Sequence, residues 1–220
     1  MNNNQNNEYH QMLSKISHEI RNPVALISSF LQLLSGNHPE LLEDGYYQRI
    51  LDNMEVLKAL LDELTSYNHS HTVTPKDLNP YILLQEIAAD AGAMLETANI
   101  SIILDKQSAI PRIPLDSIKF RQLCYNLIRN AEEAMPNGGT IKLTLSCDGA
   151  FVRLQCQDNG TGIPAEYLSS IFEPFVTHKK GGTGLGLAIC REIALAHGGS
   201  ISAESEMEKG TIFTVLLPVG

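Results

Sequence analysis

The chain has 220 residues, 43% of them hydrophobic, which is enough for a folded core in one domain or two. A net charge of −9, with no basic face in view, argues against a nucleic-acid binder, whose phosphate contacts need clustered Lys and Arg. Cys124, Cys147, Cys156 and Cys190 form no CxxC pair and follow no secretory signal, so they read as reduced cytosolic thiols. The apolar runs fall far short of the roughly 20 residues that span a bilayer, so this fragment is expected to make no membrane contact.

The polar lead MNNNQNN, residues 1–7, has nothing to bury and is expected to lie outside the fold. From there apolar residues recur at Leu13, Ile16, Ile20, Ile27, Phe30 and Leu34, the stripe of an amphipathic helix ending near Ser35–Gly36. After the loop GNHPELLEDG, residues 36–45, a second stripe runs Tyr47, Ile50, Met54, Leu57, Leu61 and Leu64. This predicts a helical hairpin. Two helices cannot bury both stripes well, and a second copy packed alongside makes a dimeric four-helix bundle, hence a twofold homodimer. The alternative is that the stripes pack onto the rest of the same chain.

The first helix carries SHEIRNP, residues 17–23. With Leu13, Ile20, Ile27 and Leu34 at a positions of a heptad, His18 falls at f, pointing to water. Asn22, four residues on, shares that face, and Glu19 lies about 100° around the axis. Pro23 has no N–H, frees the Glu19 carbonyl and bends the helix at the turn carrying the histidine. Neutral imidazole has a free lone pair and is a competent nucleophile. SHEIRNP and the apolar residues Val24, Ala25, Leu26 and Ile27 resemble the H-box of bacterial sensor histidine kinases, which implies His18 as phosphoacceptor.

After SHTVTPKDLNP, residues 70–80, long stripes give way to mixed helices and strands, which sets a boundary near Thr72 and domains at 1–72 and 73–220. Helices are expected at about 80–97, 117–135 and 185–197. Strands are expected at 100–104, 140–147, 151–158, 200–205 and 211–218. The order suggests an α/β sandwich with helices on one face of a mixed sheet. In FRQLCYNLIRNAEEAM, residues 120–135, Phe120, Leu123, Cys124, Leu127, Ala131 and Ala134 form an apolar face, and Asn126, Asn130 and Glu133 share a stripe opposite. Asparagine is mildly unfavourable in a helix interior, and amide and carboxylate oxygens suit Mg²⁺. A helix face that simply meets water explains the same stripe.

DNGTGIP, residues 158–164, closes a strand with Asp158, able to accept from an adenine amino group, and with Gly160 and Gly162, which permit close backbone approach; DNG is also an ordinary turn signal. IFEPFVTHKKGGTGLGLAI, residues 171–189, sets Lys179 and Lys180 ahead of Gly182, Thr183, Gly184, Leu185 and Gly186, a glycine-rich loop opening a helix. Such a loop offers backbone N–H groups and a positive dipole end to phosphate. It lacks the GK[ST] ending of a P-loop and the setting of a dinucleotide fingerprint.

In order and spacing these elements resemble the N-, G1-, F- and G2-boxes of a GHKL-type ATP-binding domain, so the resemblance to a histidine kinase core covers nearly all of residues 9–218. The overall character is similar to sporulation-type kinases of Gram-positive bacteria. The resemblance implies ATP and Mg²⁺, with Asn130 as metal ligand, Asn126 beside it at the phosphates, and Lys179, Lys180 and the amides of Gly182–Gly186 neutralising charge. It implies that His18 attacks the γ-phosphorus with help from Glu19, and that a response-regulator receiver aspartate takes the phosphoryl group. Segment 163–184 would act as a lid, in which His178 stands where the family's TTK element has threonine. An inhibitory protein on the hairpin and a cytoplasmic location, with a membrane-anchored parent, belong to the same expectation. Two alternatives stay open: an ATP-independent phosphorelay scaffold, and a receiver phosphatase using Asn22 of the HExxN pattern.

Overall fold

A computed structural model describes residues 3–179 and 182–220, with side chains from Leu13 onward except those of Ser14, Lys15 and His18. The chain forms two compact units, Met1–His69 and Ser70–Gly220.

The first unit is a hairpin of α1 (Asn3–Asn37) and α2 (Gly45–Asn68). Helix α1 runs through Pro23 and ends at Asn37, slightly past the expected stop. The connection holds a 3₁₀ turn, Pro39–Glu43, and then Asp44, whose carboxylate accepts from the amides of Tyr46 and Tyr47, both at 2.9 Å, and so caps α2. Val24, Met54 and Leu61 make the hairpin's core, with Leu31 and Leu57 against it. Tyr47 also donates its hydroxyl to the Leu31 carbonyl. Arg21, inside the SHEIRNP run, reaches across to α2, donating to Asp62 Oδ1 and Thr65 Oγ1, both at 2.9 Å. The arginine therefore has a structural task that spacing alone did not reveal.

The stripe on α1 behaves differently from the one on α2. Tyr47, Met54 and Leu61 turn inward, whereas Ile20, Ile27, Phe30 and Leu34 remain between 41% and 60% exposed. Within one chain α1 therefore uses Val24 and Leu31 to meet α2 and leaves its main apolar stripe open to solvent.

The second unit is a layer of helices on a mixed five-stranded sheet. Its elements are β1 (Lys76–Leu78), α3 (Pro80–Leu95), β2 (Ile100–Lys106), β3 (Ile113–Leu115), α4 (Ser117–Glu133), β4 (Gly139–Cys147), β5 (Phe151–Asp158), α5 (Ala165–Leu168), α6 (Gly186–Ala196), β6 (Ser200–Glu206) and β7 (Gly210–Pro218). The sheet order is β2-β4-β5-β7-β6, with β2 parallel to β4 and every other pairing antiparallel. Helix α4 packs between α3 and α6; α3 covers β2, α4 covers β5, and α6 covers β6 and β7. The pair β1 and β3, a small antiparallel ribbon, was not expected from the sequence.

Alternation on β5 buries Val152, Leu154, Cys156 and Asp158, so a carboxylate ends a row of core residues. Burial pushes the Cys190 thiol up to about 12, and the buried Cys124 and Cys156 thiols are raised for the same reason. These cysteines are packing residues.

Two glycines allow a test of the packing. A Cβ on Gly199 would stand 1.9 Å from the Leu216 carbonyl oxygen, whereas one on Gly92, inside α3, meets nothing within 4 Å. Gly199→Ala should destabilise by about 1–3 kcal/mol through forced backbone displacement. Gly92→Ala should stabilise by about 0.5–1 kcal/mol through helix propensity. Urea denaturation of each variant checks both signs.

Candidate functional site

Helix α4 is capped by Asp116, whose Oδ1 accepts from the amides of Ile118 and Lys119 at 3.0 and 3.1 Å. Its apolar side, Phe120, Leu123, Cys124, Leu127 and Ala131, is buried. That burial turns Asn126, Asn130 and Glu133 to the other side. Asn126 Nδ2 donates to the Gly186 carbonyl at 3.2 Å, and Asn130 Nδ2 donates to the Asn126 carbonyl at 2.8 Å, which leaves Asn130 Oδ1 facing outward. The Lys179 ammonium meets that oxygen at 3.2 Å and Glu133 Oε2 at 2.6 Å. Two hard oxygen donors thus converge on one cation, so this donor set fits Mg²⁺. Burial alone would raise the Glu133 carboxyl. The hydrogen bonds and charges of Lys179 and Arg129 outweigh it and hold the group below the usual carboxylate range.

The start of α6 faces this stripe. Leu185 at its N-cap supplies no side-chain cap, unlike Asp44, Asn79 and Asp116 on α2, α3 and α4. The leading amides of α6 have no acceptor within their own helix, the condition in which a helix start attracts phosphate. Gly184 has φ of +70°, and a Cβ there would strike the Phe175 backbone at 2.6 Å, so this turn demands glycine. Gly182 N–H is engaged by the Lys179 carbonyl at 3.1 Å and Leu185 N–H by Thr183 Oγ1 at 3.2 Å. The Leu185 side chain is core. Of the expected phosphate amides, the Gly182 and Leu185 groups are therefore already engaged in shaping the loop.

Asp158 lies at the end of β5, only 3% exposed. Its Oδ1 accepts from Gly160 N at 2.9 Å and Thr211 N at 3.2 Å. Burial pushes the carboxyl above its ordinary value, and the two amides and the Lys179 charge offset only part of that. Gly160 passes so close to α4 that a Cβ would stand 2.5 Å from the Ala134 carbonyl oxygen, and one on Gly162, at φ of +74°, would stand 2.3 Å from that of Glu206. Thr161 N–H donates to the same Ala134 carbonyl at 3.1 Å. The glycines thus seat the loop after Asp158 against the end of α4.

Between these parts, segment 163–179 contains α5, a stack of Tyr167 on His178 with ring centroids 3.5 Å apart, and an edge contact of Phe172 with Phe213. His178 therefore has a partner in Tyr167. Lys180 lies outside the described residues.

On the hairpin, Glu19 and Asn22 are exposed on α1. His18 belongs to the same helix, but its side chain lies outside the described residues. Sequence reasoning passed over Glu133 as a site residue, although its place in the stripe was visible. It also missed Thr211, whose only signal was a GT turn opening the last strand.

Residues 9–70 match the His Kinase A (phospho-acceptor) domain, and residues 115–220 match the histidine kinase-, DNA gyrase B-, and HSP90-like ATPase. Sporulation kinase C of Bacillus subtilis is 32% identical over 214 residues, covering 95% of this chain and 49% of that protein. The chain therefore spans about half the length of that curated relative. Full-length ShkA in complex with AMPPNP is 25% identical at a TM-score of 0.80, over 94% of this chain and 45% of that one. The histidine kinase ThkA is similar both as an isolated catalytic domain and in a complex. The domain is 33% identical, with a TM-score of 0.61, over 67% of this chain and 97% of that one. The complex, with response regulator protein TrrA, is 29% identical, with a TM-score of 0.67, over 96% of this chain and 61% of that one. With its phosphoacceptor-type hairpin ahead of a GHKL-type ATPase fold, the chain belongs to the sensor histidine kinases of two-component systems.

Proposed function

We propose that this chain is the catalytic core of a protein histidine kinase: the second unit binds ATP, His18 takes the γ-phosphoryl group, and an aspartate of a response-regulator receiver domain takes it from His18. The observation that carries this reading is the convergence of Asn126, Asn130 and Glu133 of α4 on Gly186 and Lys179. A degenerate domain serving an ATP-independent scaffold has no use for that assembly, nor for a carboxylate buried at a strand end. The AMPPNP bound to ShkA and the response regulator bound to ThkA support the donor and the acceptor.

In this reading Asp158 accepts a hydrogen bond from the adenine amino group. The amides opening α6 and the Lys179 ammonium bind phosphate oxygens, and such positioning and charge neutralisation supply most of the catalysis of phosphoryl transfer. Mg²⁺, held by Asn130 with Glu133 beside it, would add positive charge at the phosphates. A ring nitrogen of His18 forms the N–P bond as the bond from the γ-phosphorus to the β,γ-bridging oxygen breaks and ADP leaves. Glu19 takes the proton from the other ring nitrogen. Asn22, exposed on the following turn, orients water for the reverse task, loss of phosphate from the receiver. The open stripe of α1 supports a homodimer through a four-helix bundle.

With γ-labelled ATP and Mg²⁺ the protein should acquire acid-labile, base-stable label. His18→Gln should abolish that label and leave AMPPNP affinity unchanged, and label retained in the variant would remove His18 from the mechanism.

Asp158→Asn separates binding from stability. A carboxyl whose folded pKa is raised favours folding fully below its unfolded pKa, and that contribution is lost as pH rises through the folded value. At neutral pH the ionised group therefore costs stability. The amide keeps an acceptor for Gly160 and Thr211, so the melting temperature should hold or rise while adenosine affinity falls roughly 10–100-fold. A variant that loses stability in step with affinity would count against the adenine contact.

For the dimer, Ile27→Glu with Phe30→Glu removes two apolar side chains from the open stripe. Each contributes about 1.5–3 kcal/mol when buried, so the dissociation constant in sedimentation equilibrium should rise at least about a hundredfold. An unchanged constant would show that the copies meet elsewhere.

A further inference from the structure

His197 follows the last residue of α6 and is half-buried. Its Nδ1 is 2.8 Å from the Ile193 carbonyl oxygen, and its Nε2 is 3.0 Å from the backbone nitrogen of Asp116. A carbonyl oxygen only accepts and a backbone N–H only donates, so both partners set the ring's state. Nδ1 carries the hydrogen and Nε2 is the acceptor. The ring is neutral, in one tautomer, clasped between the end of α6 and the cap of α4.

Asp116 is a junction in its own right. Oδ1 caps α4, Oδ2 accepts from Thr74 N at 2.8 Å, and its N–H goes to His197. Burial alone would raise its carboxyl, but the amides of Thr74, Lys119 and Ile118 hold it below its ordinary value. The end of α6 is fixed to the sheet as well. Gly198, at φ of +74°, reverses the chain, and Gly199 docks on the Leu216 carbonyl too closely for any side chain.

Three of the polar contacts between α4 and α6 mark the register of one helix on the other. Asp116 N meets His197 Nε2 at one end, the Leu123 carbonyl meets Cys190 Sγ at 3.6 Å midway, and Asn126 Nδ2 meets the Gly186 carbonyl at the other end. Residue numbers rise along one helix as they fall along the other, so this is one antiparallel register. A one-turn slip would carry Gly186 about 5 Å along α4. The Cys190 contact is a weak thiol bond and the Asn126 contact lies in the site itself. The neutral ring of His197 is the polar clasp remote from the nucleotide.

We propose that His197 is a positioning residue of the phosphate site: by accepting from the Asp116 N–H it holds α6 in register on α4 and so aligns the leading turn of α6 with Asn126 and Asn130. This rests on the nucleotide-binding reading given above. It assigns His197 no contact with ATP and predicts an effect on phosphate recognition that adenine recognition does not share, because Asp158 is held by β5, Gly160 and Thr211.

The test uses the whole chain. In ¹⁵N-labelled protein, a through-hydrogen-bond coupling should link the Asp116 amide nitrogen to His197 Nε2, with Nδ1 the protonated ring nitrogen; the opposite tautomer or no coupling would overturn the proposal. His197→Phe keeps a ring without nitrogens, and His197→Gln keeps an acceptor near the place of Nε2. Calorimetric titration with AMPPNP and Mg²⁺ should show about a tenfold loss for the phenylalanine variant, with most of the affinity restored by glutamine. Adenosine, followed by amide shifts, should bind both variants as it binds the wild type. Equal losses for AMPPNP and adenosine would mean that His197 supports the fold only, and unchanged AMPPNP affinity in the phenylalanine variant would equally sink the proposal. If His197→Phe does not fold, the coupling and the glutamine variant still decide. Wild-type protein that binds neither ligand would overturn the nucleotide reading and this inference with it, whereas the other outcomes bear on His197 alone.

Discussion

The carboxylate of Asp158 sits on the buried face of a central strand, and much of the second unit is arranged around that cost. Strand β5 alternates Val152, Leu154 and Cys156 into the core, and the next residue on that face is an acid. A buried carboxylate without partners is expensive, and two backbone amides reduce the cost without removing it. Those amides arrive only because the chain on either side can come very close. Gly160 lies against the Ala134 carbonyl, and Gly210, at φ of +100°, would place a Cβ 2.1 Å from the Asp158 carbonyl oxygen. An apolar residue at 158 would suit a fold selected for stability alone, so the retained charge points to recognition.

Helix α4 transmits that arrangement to the other half of the site. Its apolar face is fully committed to the core, which fixes its rotation and leaves Asn126, Asn130 and Glu133 no orientation except toward α6 and Lys179. Its N-terminal cap, Asp116, is bonded to the segment that follows the hairpin and to the end of α6. The helix therefore ties the strand-end loop, the glycine turn and the chain entering the unit to one rigid body. In phosphoryl transfer, where the protein contributes position and charge, rigidity of that kind is a functional property.

How much of this could be read in the sequence depends on the separation of the interacting residues. The five long helices and the five long strands were legible because each has enough residues to display its period, whereas α5, four residues long, does not. The β1–β3 ribbon was not, since KDL and IPL are each three residues long and one contains proline. The stripe on α4 was visible from spacings of four and three, but its meaning depends on Lys179, 46 residues from Glu133. Arg21 looked like part of a phosphoacceptor motif, yet its bond to Asp62 crosses 41 residues. The histidine before Gly198 and Gly199 offered only the signal of a helix end. Local pattern carried the elements, and contacts distant in sequence decided which polar residues serve the fold.

The hairpin shows the same limit from the opposite side, where pattern exceeds what one chain can satisfy. In the heptad with Ile20 and Ile27 at a, the residues of α1 that meet α2 within the chain, Arg21, Val24 and Leu31, fall at b, e and e. The a positions Ile20, Ile27 and Leu34 are left open. A two-helix hairpin selected to stand alone would place its largest apolar residues toward its own second helix, and this one places them beside it. The f position of His18 is next to e along the chain, but on the helical wheel it lies opposite the a seam that a second copy would cover. A dimer can therefore close over the stripe of α1 while position 18 falls on the opposite side of the wheel, so the heptad that calls for a partner also sets the proposed phosphoacceptor position away from the seam.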